Sequence, residues 1–106
     1  MVTDTEKMTK IAKSFANDVK QVMPVEKAVL FGSWAKGYAT ELSDVDICFF
    51  ITDYQGKERY EVIAELLGMG RKYPEIGFEP LVFQISEIEN GNPFVREVLT
   101  TGIELL

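Results

Sequence analysis

The chain has 106 residues, 46 % of them hydrophobic, and a formal net charge of −6; this length predicts a single domain over residues 1–106 with one modest core. No apolar run approaches the roughly 20 residues that span a bilayer, so a cytoplasmic location is expected, and the acidic charge argues against tight binding to nucleic acid. The chain contains no histidine, which excludes Ser-His-Asp and Cys-His catalysis and histidine zinc sites, so any chemistry must use carboxylates.

The N-terminal region predicts an amphipathic helix over residues 4–23. Apolar residues recur there at three- and four-residue steps, with lysine and aspartate on the other side. Thr3 and Glu6 form a capping-box pattern at the start of the helix, and Pro24 marks its end. The apolar positions are Met8, Ile11, Ala12, Phe15, Val19, Val22 and Met23.

A strand is expected over residues 25–31, because VEKAVLF is β-rich in its second half and is followed by Gly32. Residues 33–37 have the length of about one helical turn, which Gly37 closes. Residues 38–43 read as an irregular loop. The region therefore predicts a strand, a tight turn and a short helix in succession.

Residues 44–52, DVDICFFIT, form the clearest predicted strand. Successive side chains of a strand point to opposite faces, so both aspartates share one face. The single cysteine excludes an internal disulfide and is predicted to be a small core residue. The acid face holds Asp44, Asp46, Cys48 and Phe50, and the opposite face holds Val45, Ile47, Phe49 and Ile51.

A second helix is predicted over residues 57–72, where apolar residues again recur at helical spacing. Arg71, Lys72 and Pro74 lie near its expected end. The residues expected to face inward are Tyr60, Ile63, Ala64, Leu67 and Met69 or Gly70.

Residues 77–85 predict a third strand, and Pro80 places it at a sheet edge or at a bulge because proline cannot donate to a ladder. Residues 86–89 are expected to form one helical turn. A final helix is predicted to begin after Asn92, as N-cap, with Pro93 in its first turn, and to stop at Gly102.

Asp44 and Asp46 predict a cation site. Carboxylates about 7 Å apart on one strand face repel by roughly 2 to 3 kcal/mol at an effective dielectric near 20. Magnesium is bound by one or two carboxylates plus substrate phosphates, and two such ions about 4 Å apart clamp the oxygens of a phosphoryl displacement. Taken alone, the Asp-x-Asp pair is explained better by two solvated acids at the mouth of a strand.

Gly32 and Ser33 change this balance. A strand-Gly-Ser-helix junction exposes backbone N–H groups at a helix N-terminus, where phosphate is favoured, and glycine lets phosphate approach closely. The alternative is an ordinary turn with Ser33 as N-cap. The combination predicts a nucleotide and metal site, with Gly32 and Ser33 facing phosphate and Asp44 and Asp46 facing divalent cations.

Two better-known motifs do not fit. A Walker A loop requires Lys and then Ser or Thr after its second glycine, but Tyr38 and Ala39 follow Gly37. A calcium EF-hand requires a further oxygen ligand and a glycine after Asp-x-Asp, but Cys48 and Phe49 occupy those positions. A standard P-loop and an EF-hand are therefore excluded.

The pattern Gly32-Ser33, ten residues, then Asp44-hydrophobe-Asp46-hydrophobe resembles the nucleotidyltransferase superfamily that includes DNA polymerase β. The size and the wording GSWAKG...SDVDI are similar to its minimal nucleotidyltransferase (MNT) branch, and the resemblance covers nearly the whole chain. It implies an α+β fold with a small mixed sheet flanked by helices. It also implies transfer of a nucleoside monophosphate, most often AMP, from ATP or another NTP with release of pyrophosphate.

By position, the resemblance implies that Asp44 and Asp46 hold two Mg²⁺ ions and that Gly32 and Ser33 bind the triphosphate. The third carboxylate of the family lies on a following strand, where it helps to hold one metal and assists deprotonation of the acceptor hydroxyl. Glu79 matches that residue.

The resemblance also bears on three further residues. Glu75 is the alternative third acid. Trp34 and Lys36 stand where relatives often carry arginines; Lys36 is expected to contact phosphate, and Trp34 is expected to pack rather than to stack on a base.

MNT proteins of this size resemble antitoxins paired with HEPN-family ribonuclease toxins. The resemblance therefore implies transfer to a hydroxyl of a protein partner, with the partner or a second subunit completing the acceptor pocket. One alternative is a non-catalytic or weakly catalytic antitoxin module that acts by binding its partner. A less favoured alternative is transfer to a small molecule such as an aminoglycoside, which usually requires another domain.

Overall fold

The structure, a computed structural model, describes residues 4–40 and 42–106. None of the helices within those ranges is long and apolar enough to cross a membrane. The helices are α1 (Asp4–Lys20), α2 (Ser33–Lys36), α3 (Arg59–Met69), α4 (Ser86–Glu89) and α5 (Pro93–Thr101), with a 3₁₀ turn at Gly70–Lys72. The strands are β1 (Val25–Phe31), β2 (Val45–Ile51), β3 (Phe78–Gln84) and β4 (Ile103–Glu104).

The four strands form one mixed sheet in the order β3-β2-β1-β4. Strand β1 is antiparallel to both β2 and β4, whereas β2 and β3 are parallel. Helices cover both faces, so the predicted α+β fold with a small mixed sheet flanked by helices is confirmed. Strand β4 was not predicted, because two residues are too few to show a periodicity.

The alternation predicted for β2 is confirmed. Its odd-numbered residues pack with α1 and α3 in the larger core cluster, and Cys48 and Phe50 pack with α5 on the other face. Cys48 is fully buried, and burial raises the pKa of its thiol to about 12. Cys48 is therefore a core residue, as its sequence context indicates.

Helix α1 follows the predicted stripe but is shorter than predicted. Its buried residues include Phe15 and Val19, whereas Val22 lies beyond the last helical residue and is 63 % exposed. Thr3, the predicted capping residue, lies outside the described residues. The backbone turns after Lys20 through bonds from the N–H groups of residues 22 and 23 to the carbonyl of Val19, so the chain leaves the helix before Pro24.

The predicted inward face of α3 is right in part: Ile63 and Met69 pack against the core, but the two buried residues were not among those predicted. Val62 and Leu66 are buried, while Tyr60 is 72 % and Leu67 is 51 % exposed. Apolar residues lie on several sides of this helix, so its periodicity does not fix the rotation. Arg59 fixes it: its Nε donates to the Val82 carbonyl at 2.7 Å, and its guanidinium lies 4.5 Å from the Phe83 ring.

The C-terminal elements follow the sequence signals. Strand β3 is an edge strand and carries Pro80 in regular register opposite Ile47, as the proline predicted. Helix α5 begins at Pro93, and the Asn92 side chain accepts hydrogen bonds from the N–H groups of Phe94 and residue 95. Helix α5 packs against the face of the sheet that carries the acids.

Gly102 lets the chain turn from α5 into β4. A Cβ atom on Gly102 would overlap Val29 and would lie 2.5 Å from the Val98 carbonyl oxygen and 2.9 Å from that of Leu30. We therefore expect Gly102→Ala to lower the free energy of unfolding in urea by about 1 to 3 kcal/mol. The control is Gly68→Ala, which adds a methyl group to open space within α3 and should raise stability by about 0.5 to 1 kcal/mol. Equal stabilities for the two variants would contradict this packing.

Candidate active site

The predicted acids meet where β1 ends and β2 and β3 begin. Because β1 is antiparallel to β2, its last residue, Phe31, pairs with Asp46; because β2 and β3 are parallel, Asp46 also pairs with Glu79. Neighbouring strands lie about 4.8 Å apart, so the Asp46 and Glu79 side chains are adjacent on one face. The structure thus brings together two acids that are 33 positions apart in the sequence.

Asp44 lies on the same side of the sheet, just before β2. Its Oδ1 is 3.1 Å from the position that a Cβ atom would take on Gly77, so the carboxylate lies against the residue that precedes β3. The N–H of Val45 donates to the Gly77 carbonyl at 2.8 Å, and this bond joins the start of β2 to the residue before β3.

The electrostatic environment of Asp46 disfavours its charge. Burial is the largest effect, followed by a hydrogen bond with the Glu79 carboxyl and by repulsion from Glu79 and Asp44, and together they raise the pKa of Asp46 to about 6. Two facing carboxylates are relieved either by sharing a proton or by gaining a cation. At neutral pH the site therefore carries an unbalanced negative charge.

Gly32 provides the space that Asp46 occupies. Its φ of 72° and ψ of −151° lie in a backbone region adopted almost only by glycine. A Cβ atom on Gly32 would overlap the Asp46 carboxylate, standing 3.3 Å from its Cγ. The turn thus needs glycine both for its conformation and for the approach of the acid.

Ser33 opens α2, and Gly32 rather than Ser33 is the N-cap, so the ordinary-turn alternative with a serine cap does not apply. The first backbone bond of the helix joins the Lys36 N–H to the Gly32 carbonyl at 3.0 Å, and N–H groups before it lack intrahelical partners. Lys36 Nζ lies 3.3 Å from Glu97 Oε1 on α5. Both side chains are partly exposed, so this ion pair contributes little to stability.

Two other candidates lie elsewhere. Trp34 is 8 % exposed and its Nε1 donates to the Ser43 carbonyl at 3.4 Å, so it packs, as predicted. Glu75 lines a groove with Trp34 and Met8 on the opposite face of the sheet from the acids. Of the two candidate third acids, the structure places Glu79 and not Glu75 beside Asp46.

The donor set fits a hard divalent cation. The carboxylates of Asp44 and Asp46 are oxygen ligands, and two glycines leave room around them. Within residues 4–40 and 42–106, no three or more acidic or cysteine side chains form a ready-made metal cluster. Two carboxylate ligands suit magnesium, which uses few protein carboxylates and completes its shell with water and substrate phosphate oxygens.

One feature of the site has no counterpart among the sequence predictions. A groove of about 380 Å³ adjoins the acids, lined by Phe31, Asp46, Ile63, Leu67, Glu79, Pro80, Leu81 and Phe94. The spacing of Ile63 and Leu67 was its only signal, and it predicted core packing instead. Glu97, the partner of Lys36, was also not predicted.

Comparison with known proteins agrees with this geometry. The family model "Polymerase beta, Nucleotidyltransferase" matches residues 9–106. The chain belongs to the polymerase β nucleotidyltransferase family. This nucleotidyltransferase is 29 % identical over 98 residues to a Methanocaldococcus jannaschii protein named "putative protein adenylyltransferase", across 90 % of the chain and 95 % of the relative.

A solved structure shows the same fold. The crystal structure of a "putative nucleotidyltransferase" from Sulfolobus solfataricus superposes with a TM-score of 0.65 at 23 % identity, over 81 % of this chain and 75 % of that one. At this identity the likeness concerns the fold alone.

The raised pKa of Asp46 predicts that this acid costs stability. The folded protein binds the Asp46 proton more tightly than the unfolded chain, so stability falls as pH rises from 3.8 to about 6 and stays lower above that. We therefore expect Asp46→Asn in a chelator to be more stable than wild type at pH 7.5 by about 1 to 2 kcal/mol, after solvent screening of a partly exposed group.

The same variant supplies its own control through pH. At pH 4 the gain in unfolding free energy, measured by urea denaturation, should fall to a small fraction of its value at pH 7.5. A gain of equal size at both pH values, or none at either, would contradict the electrostatic cause.

Proposed function

We propose that this nucleotidyltransferase transfers AMP from ATP, in a magnesium-dependent reaction, to a hydroxyl group of a protein partner. The observation that carries the proposal is the pairing of Asp46 with Glu79 at the end of the sheet, with the Asp46 carboxylate against the Gly32 turn and Asp44 against Gly77. The adenylyltransferase name of the Methanocaldococcus relative supports AMP and a protein acceptor. The resemblance to MNT antitoxins points to a HEPN-type toxin as that partner.

Each residue has a defined role in this proposal. Gly32 leaves the turn open to the triphosphate, and the N–H groups at the start of α2 and the Lys36 ammonium bind its oxygens. Binding of the triphosphate moves Lys36 from Glu97 to phosphate, at little cost because the ion pair is partly exposed.

Asp44 and Asp46 would hold the two magnesium ions, with Glu79 completing one of the sites. When bound, magnesium neutralises the developing charge on the phosphoryl oxygens. Glu79 lies at the outer side of Asp46 and is exposed, so its carboxylate is placed to accept the proton of an incoming hydroxyl.

The Gly32 turn provides a direct test of nucleotide binding. Gly32→Ala should displace the Asp46 carboxylate and weaken the affinity for MgATP at least tenfold by calorimetry. Gly37→Ala is the matched control: Gly37 also has a positive φ, of 88°, but a Cβ atom there meets open space. Its affinity should stay within about twofold of wild type although its stability falls by about 1 kcal/mol.

A common loss of affinity in both variants would show that the backbone strain, and not the contact with Asp46, is responsible. Equal affinity of wild type for ATP with magnesium and with chelator would contradict magnesium dependence.

Transfer is tested with the protein co-purified with its neighbouring gene product, magnesium and mixed NTPs. Intact mass should show one added nucleoside monophosphate on the partner, and the increment identifies the donor. Glu79→Gln should bind MgATP normally but slow transfer about 10²- to 10⁴-fold, as loss of a general base does. Glu75→Gln, which removes an acid on the opposite face of the sheet, should transfer at the wild-type rate.

Unchanged turnover of Glu79→Gln would remove its assigned role. If wild type adds no mass, and the double variant Asp44→Asn, Asp46→Asn still neutralises the partner, the chain acts by binding alone and the enzymatic proposal is wrong.

A further inference from the structure

We propose that the apolar groove beside the acids is the acceptor site, and that it takes a protein segment whose acceptor hydroxyl is flanked by apolar side chains. This inference rests on the proposed function and names the kind of acceptor. The groove is lined by Phe31, Asp46, Ile63, Leu67, Glu79, Pro80, Leu81 and Phe94, and we call it the acceptor groove.

The order of the strands decides which substrate lies where. Strand β2 lies between β1 and β3, so Gly32 stands on one side of Asp46 and Glu79 on the other. In nucleotidyl transfer the acceptor oxygen bonds to the α-phosphorus as the bond to pyrophosphate breaks, with the two oxygens in line. With pyrophosphate leaving on the Gly32 side, the hydroxyl enters from the Glu79 side and gives its proton to that carboxylate. The acceptor groove includes Glu79 and Leu81 on that side and extends to Phe31 and Phe94, which also line the pocket of Gly32 and Lys36.

One wall of the groove is made by Ile63 and Leu67 of α3, two of the residues that the sequence assigned to the core. Arg59 holds the helix so that Val62 and Leu66 are buried, while Ile63 is partly buried against the core and Leu67 is half exposed. Tyr60 and Leu67, 72 % and 51 % exposed, lie seven residues apart on the same helix face. The apolar wall thus continues onto the surface, farther than a small acceptor reaches.

The edge of β3 is closed to an added strand at its centre. Pro80 has no N–H to offer, and the Val82 carbonyl already accepts from Arg59. Side chains inserted into the groove, and not backbone pairing, must therefore provide the contact.

The lining also discriminates between acceptor classes. Apart from the two carboxylates, the acceptor groove presents apolar carbon atoms. Contact with these atoms adds no favourable binding free energy for the hydroxyl and ammonium groups of an aminocyclitol. Burial of leucine-like side chains against the same atoms favours binding. A protein segment that carries a hydroxyl group between apolar side chains fits both the carboxylates and the apolar lining of the groove.

Two synthetic fluorescent peptides test this directly: one carries a central hydroxyl residue flanked by leucines, and the other carries asparagines in place of the leucines. Binding to the full chain is measured by anisotropy, with and without magnesium and α,β-methylene ATP. We expect the leucine peptide to bind at least tenfold more tightly. Leu67→Ser should weaken its binding about fivefold and leave the affinity for the nucleotide analogue unchanged.

Val22→Ser is the matched control, since Val22 is similarly exposed, at 63 %, but precedes β1 at the opposite end of the sheet from Gly32. It should change neither affinity. Equal binding of the two peptides, no binding of either at millimolar concentration, or preference for kanamycin as a competitor would overturn the proposal. A parallel loss of nucleotide affinity in Leu67→Ser would assign the groove to the nucleoside and would also overturn it.

The peptide preference without nucleotide is independent of catalysis. If wild type binds no MgATP, the proposed function fails by itself, while the comparison of the two peptides still decides what the groove accepts.

Discussion

The pairing of Asp46 with Glu79 across the parallel strands β2 and β3 is the constraint on which the site depends. Two carboxylates on neighbouring strands repel each other, and burial, the hydrogen bond with Glu79 and this repulsion, in that order, raise the pKa of Asp46. The strands stay in register because their other residues, such as Ile47 and Val82, are fully buried. Hydrophobic packing thus holds together carboxylates that would separate on their own, and a cation bound between them would relieve their repulsion.

Two glycines also determine where the carboxylates lie. Asp46 rests against Gly32 after β1, and Asp44 rests against Gly77 before β3, on the other side of β2. Each acid therefore occupies the space that a neighbour's side chain would fill. The two contacts thus place the carboxylates against different flanks of β2.

Local signals in the sequence predicted most of the fold, and they identified Gly32, Ser33, Asp44 and Asp46 as candidates for the site. The alternation in β2 assigned both faces correctly, and Asn92 and Pro93 located the start of α5. The position of Glu79 beside Asp46 depends on non-local pairing, so the residues alone did not determine it and only the family resemblance pointed to it. The rotation of α3 depends on the contacts of Arg59 with β3, which no periodicity contains.

The negative net charge of the chain opposes the binding of a triphosphate. A triphosphate approaching a protein of net charge −6 is repelled at long range, and the acids at the site add to this repulsion. Lys36 is the cation that the described residues place beside Gly32, and Glu97 already neutralises it. Under the proposed function, positive charge for the triphosphate would therefore come mainly from divalent ions held by Asp44 and Asp46. The same acids would disfavour a bare nucleotide and favour its magnesium complex, so the Asp-x-Asp strand would act in binding as well as in chemistry.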